Sequence, residues 1–529
     1  MTLTARNTGP ALRLTEFSVL RLRAAPVHRV LLVSMNRIAK IGRVVLFTVG
    51  ALAGVMLLAG LAVVLFVDVN DYKPRVEAAA SSAFGMAVSI EGNMGVSFAP
   101  GLRVTLENVR INNRGTELAA IQEVDVGILL LPLLLQQQIH YGSVKTKGAR
   151  IYLERSRDGI FNFQKTPVPG HPARPLDLPK VIFSDVNVVF ADKESGNNMA
   201  FDACEGDLAD LKHPGGAPFL KRISLNGKVT CATMRNNSKS ATDLKFDVVA
   251  TDGIFDLKPI TLLAYGGNGM ATMRIDRSVD VPTTDLDFKL DRFHVEQYFK
   301  PKPSAKHVSG RMDFTMKVAM QGRGQAMRRS ATGVMTLSGN NLTLNGVNLD
   351  AELPKFASSQ DFNLLDLGAV LFAGPVGLAV TKGYELTSLT QRADGSTSIR
   401  TAVSKWKIDK GVAYAQDVAL VTPQNRLALQ GGLDFVDKEY RDVVVALVDE
   451  YGCATVRQKI SGPFNKPAVD KSHFLIPLGA VVRLIEKTKS LLTGREKCEA
   501  FYSGSLPPPK AMDKTKTSEK VAGAARPLD

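Results

Sequence analysis

Residues 311–320 read RMDFTMKVAM, and the reading of this stretch decides the fold. In an extended backbone Met312, Phe314, Met316, Val318 and Met320 share one side, and Arg311, Asp313, Thr315 and Lys317 take the other. A helix would scatter that apolar set around its axis, whereas a strand gathers it into one dry face against one wet face. The same period recurs in DLDFKLD (285–291), where Leu286, Phe288 and Leu290 align, and in DLKFDVV (243–249), with Leu244, Phe246 and Val248. Recurrent Asn-Gly and Asp-Gly pairs, within a total of 44 Gly and 26 Pro, supply the turns between such strands. The expectation is a mainly β chain: an elongated antiparallel β-meander or groove with one apolar face and a few short helices. A compact sandwich reads the same over short windows.

Outward from this stretch, the N-terminal side changes character. VVLFTVGALAGVMLLAGLAVVLFV (44–67) carries no charge over 24 residues. At about 1.5 Å per residue it is long enough for a hydrocarbon core of about 30 Å. No small-residue cleavage site follows it, so it reads as an uncleaved transmembrane helix. Residues 1–43 hold eight Lys/Arg against Glu16 alone, with Arg37, Lys40 and Arg43 at the edge of the span. Positive charge stays on the cytoplasmic side, which sends everything from Asp68 onward across the membrane. Met35 opens MNRIAKIGRVV, a compact basic head, so residues 1–34 read either as an over-called start or as a disordered cytoplasmic tail. Gly50 and Gly54 give the span a G-x-x-x-G spacing that would let two copies approach as a homodimer.

After the span, DYKPRVEAAASSAFG (71–85) predicts a short helix started at Pro74 and stopped at Gly85. VSIEG, LRVTLENVRI and VDVGILL then read as strands, LLPLLLQQQ as a short apolar helix and ARIYLER as a strand. These close an N-terminal β region over 68–165, followed by a Pro-rich linker, TPVPGHPARPLDLP (166–179). Residues 180–348 continue the meander. In 349–505, LDAELPKFASSQDFNLLDLGAVLFAGPVG reads as two short helices, strands resume from Leu386 to Val448, and LGAVVRLIEKTKSLL (478–492) is an amphipathic helix. Residues 506–529 are poor in bulky apolar side chains and read as a disordered tail. About 28 to 30 strands at about 4.8 Å spacing would make a groove about 140 Å long.

The formal charge of +15 leaves only +8 beyond residue 43. Basic and acidic residues alternate there, which argues against nucleic acid and suits an anionic membrane surface. All four cysteines follow the span, on the side where disulfides persist. Four cysteines permit three connectivities, and their grouping favours Cys204 with Cys231 and Cys453 with Cys498. No two stand at C-x-x-C spacing and no histidine adjoins them, so a metal site is not expected.

No G-x-S-x-G, H-E-x-x-H or phosphate-loop pattern occurs. The seven histidines (His28, His140, His171, His213, His294, His307 and His473) are scattered as in loops and surfaces. Asp285 and Asp287 share a strand face, as solvated outer acids do. Trp406 stands in SKWKIDKG, read as packing at a strand edge. The chain is therefore expected to be no enzyme and to hold no cofactor. From the residues alone the apolar face is either the core of a closed protein or the lining of an open sheet that receives acyl chains. Its methionines, adaptable as they are, serve both.

The order of DVNDYKPRVEAAASSAFG, VSIEGNMGVSF, LRVTLENVRI and LLPLLLQQQIHYGSVKTKGARIYLERSRDGIFNF resembles the N-terminal region of the AsmA family. GAVLFAGPVGLAVTKGYEL, DVALVTPQNRLALQGGLDF and GCATVRQKISGPFNKPAV resemble its C-terminal region. The resemblance implies an inner-membrane protein with a β-rich periplasmic body and a role in outer-membrane biogenesis. For larger relatives it implies phospholipid movement between the membranes. It favours a lipid groove lined by Leu244, Phe246, Val248, Leu286, Phe288, Leu290, Met312, Phe314, Met316 and Val318, with phospholipid and an outer-membrane or periplasmic protein as partners. The alternative is a structural or regulatory protein that modulates outer-membrane protein assembly without carrying lipid.

Overall fold

The computed structural model describes residues 68–163, 175–299, 307–351, 395–474 and 498–509, apart from single positions and short turns within them, and parts of 47–55. The chain parts into two units, Met1–Asp68 and Val69–Asp529. In the first, residues 47, 48, 50–52, 54 and 55 are helical. The rest of the expected span 44–67, and residues 1–43, lie outside the described residues. Among the described residues no helix is long and apolar enough to cross a membrane.

The second unit opens on a 3-10 turn, Val69–Tyr72, and helix α1, Lys73–Phe84. Pro74 sits in its first turn, where a missing N–H costs nothing, and Gly85 (φ 64°) ends it in the left-handed region. Strands follow: β1 (Ala87–Ile90), β2 (Met94–Ser97), β3 (Leu102–Asn113) and β4 (Thr116–Ile128), then helix α2 (Leu130–Gln136). Next come the long strands β5 (Tyr141–Arg155), β6 (Leu176–Asp192), β7 (Asn197–His213), β8 (Ser224–Asn236) and β9 (Lys239–Thr251). They continue in β10 (Ile254–Ala264), β11 (Gly267–Asp276) and β12 (Thr283–His294), helix α3 (Val295–Phe299), β13 (His307–Ser309) and β14 (Arg311–Gln321). Helix α4 (Gly324–Arg329) leads to β15 (Thr332–Asn345). The last part holds β16 (Ser396–Asp409), β17 (Val412–Val421), β18 (Arg426–Asp434), β19 (Glu439–Val448), β20 (Ala454–Pro463), β21 (Ala468–Val469) and β22 (His473–Phe474).

All belong to one 22-stranded sheet. From β3 to β20 the ladder runs nearly in chain order and would measure about 80 Å at about 4.8 Å per strand. That is shorter than the expected 140 Å, because the strands are long, up to 17 residues in β6 and β7, and so fewer. Pairing is antiparallel at every step but one: β5 and β6 run parallel, Val144 opposite Val181 through Arg155 opposite Asp192. A parallel step needs a connection that recrosses the sheet, and the Pro-rich stretch expected as a linker stands at that point in the chain. Its last four residues, 176–179, already belong to β6, correcting the expected boundary. Pro179 is accommodated because β6 pairs there with β7 alone, its pairing with β5 beginning only at Val181.

At the N-terminal edge, side chains replace a further strand. Ser81 Oγ accepts from Val88 N (2.9 Å), Glu77 Oε1 from Ile90 N (2.6 Å) and Asn70 Oδ1 from Met94 N (3.0 Å). Backbone donors that would otherwise invite strand addition are thereby satisfied.

The long strands do not run straight. Asn108, Gly148, Asp185, Ala203 and Asp243 all have φ between 47° and 65°, one in each of β3, β5, β6, β7 and β9. Each interrupts the extended backbone of its strand, and register shifts mark bulges at Asp185, Ala203 and Asp243, where a bulge bends the strand that carries it. They fall in line: the residues beside them, Val109, Ile121, Ala149, Val186, Cys204, Cys231 and Leu244, stand opposite one another strand by strand. The sheet is creased along this row. Asn and Asp tolerate the left-handed region best among side-chain-bearing residues, which is why they occupy three of the five positions.

Several expectations fall outside the described residues: most of the helices of 349–377, all of the helix of 478–492, and the tail beyond 509. Leu506, expected in the disordered tail, is instead buried against Ala419, Ala428 and Ala446. Its apolar side chain covers strands that expose small residues, a contact that local composition does not reveal.

Candidate ligand-binding trough

The ten residues expected to line a groove lie on one face. Leu286, Phe288 and Leu290 stand directly opposite Val318, Met316 and Phe314. Phe246 continues the row through Ile260, Ala271 and Phe288. Val248 does the same through Leu257, Met273 and Leu286. Leu244 belongs to the crease row beside Cys231.

Along the crease the side chains are closed off: Cys231 is 2% exposed and Ala149 3%. On the two flanks Phe183, Val188, Phe201, Val229, Phe246 and Met273 are half-buried. Every side chain of this cluster comes from β4–β11, strands of the same sheet. Among the described residues no helix or second sheet packs broadly across it. The result is a trough with a dry floor and half-open apolar walls. Wall height is held down where glycines face bulky partners: Phe183 lies over Gly206, Leu208 over Gly227 and Leu262 over Gly269. At each glycine a Cβ would meet that neighbour within 2.7 Å.

The opposite face is wet and paired. Lys228 meets Asp247 at 3.4 Å, Arg274 meets Asp256 at 2.7 Å and Lys317 meets Asp287 at 2.8 Å. Asp285 and Asp287 are both exposed there, as expected of outer acids. Such exposed pairs contribute at most about 1 kcal/mol each and mainly keep this face in water.

Both ends of the trough are filled. At the N-terminal end Val76 and Ala80 of α1 pack on Val88, Ile90, Met94 and Val109. At the other end a core of β12–β20 takes over, with Trp406, Phe293, Ile399, Leu420 and Leu427 fully buried. Leu290, Met312 and Phe314 belong to this core; Leu244, Phe246 and the half-buried Phe288, Met316 and Leu286 stand on the trough side or at its border. Trp406 lies inside β16, not at a strand edge, with its Nε1 donating to Ser404 Oγ at 2.7 Å. A polar indole needs such a partner once buried.

Both expected disulfides are present, Cys204–Cys231 and Cys453–Cys498. The first joins directly opposed residues of β7 and β8 on the trough floor. The second ties the chain at Cys498 to the β19–β20 turn, so that Phe501, Tyr502 and Leu506 cover the outer face of β17–β20. Tyr502 donates to Asp417 Oδ1 at 2.7 Å, Gln430 Nε2 donates to Phe501 O at 2.7 Å and Arg426 Nη1 to Leu506 O at 3.0 Å. Burial, and then the bond to Asp417, pushes the Tyr502 phenol up to about 12.

Of other chemistry, Asp434, Asp437 and Glu439 bring three carboxylates together. Arg441 stands among them, 2.6, 3.5 and 3.7 Å from the three, and offsets part of their charge. His213 is buried, stacked on Phe219, with Nδ1 accepting from Gly215 N. Its buried Nε2 has no hydrogen-bond partner among the described residues.

The crease was missed in the sequence. Its signal is present: Asn108, Asp185 and Asp243 break the two-residue period, so that Leu106 and Val109, or Phe183 and Val186, share a face at three-residue spacing.

No curated protein and no solved structure matches the chain. Residues 35–196 match the AsmA family. This stretch, under a third of the chain, runs through α1, the edge β1–β3, the parallel step and the start of the trough, and in it the chain is similar to the AsmA family.

Proposed function

We propose that this protein shields the acyl chains of phospholipids in the trough, anchored in the inner membrane by residues 44–67 with its sheet in the periplasm, and so supports outer-membrane biogenesis. The observation that carries the reading is the wall from Phe183 to Met273: apolar, half-exposed and, among the described residues, uncovered by any second layer. Acyl chains need apolar lining and no hydrogen-bond partners, and a wall of this kind left to water would be costly. The similarity of residues 35–196 to the AsmA family supports the membrane setting, and two disulfides suit an oxidising compartment. The charge asymmetry about 44–67 supports the orientation.

Site-specific photocrosslinking in cells tests it. A photoreactive residue at Phe246 or Phe288 on the inner face should capture phospholipid, and one at Lys245 or Lys289 on the outer face should not. Equal capture on both faces, or none on the inner one, sinks the reading.

A further inference from the structure

One lip of the trough gathers cations that the apolar walls do not explain. Four turns meet there: 219–223, 252–253, 277–282 and 322–329. Their contacts are direct: Gly253 N donates to Ile223 O (3.0 Å), Arg277 N to Gly253 O (2.9 Å) and Gly322 N to Pro282 O (2.8 Å). These turns carry Lys221, Arg222, Arg277, Arg323, Arg328 and Arg329, of which Arg277 and Arg323 act on each other.

Of the acids in these turns, Asp252 is exposed and forms no ion pair among the described residues, and the other two are engaged. Asp280 pairs with Lys221 at 2.6 Å, and Asp276 accepts from both the N–H and the hydroxyl of Ser278. Arg277 and Arg323 form no ion pair among the described residues. Arg277 is nevertheless half-buried, two residues beyond inner-face Ile275, which stands opposite Thr284 and Phe255. Burial, and after it the positive charge of Arg323, pushes the Arg277 guanidinium below the usual arginine range. Two guanidiniums held close with no acid between them repel each other unless an anion joins them.

We infer that Arg277 and Arg323 form a phosphate subsite at the lip of the trough. Guanidinium forks match phosphate oxygens in a bidentate manner that a lysine does not reproduce. A phosphodiester bound there would lie where acyl chains on the Phe255–Ile275–Thr284 row reach the rim. The acyl part of this assignment rests on the trough reading; the phosphate part does not.

Isothermal titration of the full-length chain in neutral detergent tests it, with dihexanoyl phosphatidylglycerol, inorganic phosphate and uncharged dihexanoylglycerol as probes. Arg277→Gln/Arg323→Gln is expected to weaken phosphatidylglycerol at least about tenfold, a difference of about 1.4 kcal/mol, and to leave dihexanoylglycerol unchanged. Lys317→Gln, an outer-face cation paired with Asp287, should bind all three as the wild type does. Inorganic phosphate bound as tightly as phosphatidylglycerol, and lost in the double variant, upholds the subsite with free phosphate as its ligand. Wild-type affinity of the double variant for both phosphate-bearing probes overturns the proposal. If neither acyl probe binds the wild type, the trough reading fails alone, and loss of phosphate binding in the variant still upholds the subsite. Arg323→Gln by itself changes an exposed side chain and gives the same discrimination where the double variant does not fold.

Discussion

Strands β5–β12 and β15–β20 are built from the same unit, a strand of about ten residues or more with an apolar inner face, and they end in opposite conditions. In the first region the inner side chains Phe183, Val229 and Phe246 remain half-exposed and the outer face carries Lys–Asp and Arg–Asp pairs. In the second, Ile399, Leu420, Leu427 and Val445 are fully buried within, and Ala419, Ala428 and Ala446 are buried on the other side too. The difference lies less in the inner faces than in what is laid over them. The segment around Phe501–Leu506 covers the outer face of β17–β20, while Val295, Val347 and Leu349, from outside the long strands, join the inner core. An alternating strand specifies which face is dry; a second layer decides whether that face becomes core or surface.

The contrast is tested most severely by Leu420→Asp, which puts an unpaired charge at a site with no exposure. We expect more than about 4 kcal/mol of destabilisation and loss of the folded chain, read by urea denaturation and protease sensitivity. Trp406→Ala should cost about 3–5 kcal/mol. If the closed region absorbed either change with little loss, it would not be a packed core.

The two disulfides give the next comparison. Cys453→Ser/Cys498→Ser opens a 45-residue loop and Cys204→Ser/Cys231→Ser one of 27 residues. The chain-entropy model puts these at about 4 and about 3.5 kcal/mol. Similar losses should have different signatures. Releasing Cys498 uncovers the alanine- and valine-lined face of β17–β20 and should raise binding of an apolar dye, whereas opening the trough-floor bridge changes a face that is already half-open. Equal dye binding in both variants would mean that the two regions are covered alike.

Smaller again is Phe246→Asp. Its wall is half-exposed, so the charge can reach water; we expect a near-native circular dichroism spectrum, a cost of about 1–2 kcal/mol and loss of lipid crosslinking at Phe288. Unfolding of this variant would show that β5–β12 form a closed core after all. Phe314→Asp, across the border, is expected to unfold because Phe314 packs with Leu290, Met335 and Leu337.

RMDFTMKVAM and DLKFDVV read as strands with one apolar face and form them, because the two-residue period holds along both. They could not separate trough from core, since Phe246 and Phe314 sit in the same alternation and only distant residues differ. A cue was present elsewhere: VALV (418–421) and VVVALV (443–448) are apolar on both sides, as strands covered on both faces are. The crease escaped because LRVTLENVRI and DLKFDVV read as continuous strands, although Asn108 and Asp243 turn the backbone in the course of β3 and β9. The parallel step could not be read from pattern at all; only the length of the Pro-rich connection permits it.

The gentlest test uses the segment that closes the C-terminal region. Tyr502 donates to Asp417, and Leu506 N donates back to its hydroxyl at 3.0 Å. Its folded pKa of about 12 exceeds the ordinary 10.0, so the folded state holds the phenol proton after the unfolded chain has released it. The resulting stabilisation is complete below pH 10 and is lost as pH rises through about 12. Tyr502→Phe lacks both the hydrogen bond and this titration. At pH 8 it should be less stable than the wild type by about 1 kcal/mol. Between pH 10 and 12 that gap should close, read as converging urea midpoints. A gap that stayed constant to pH 12 would mean that the Tyr502–Asp417 contact does not hold the covering segment in place, and the closed region would then owe its outer layer to Leu506 and the Cys453–Cys498 bridge alone.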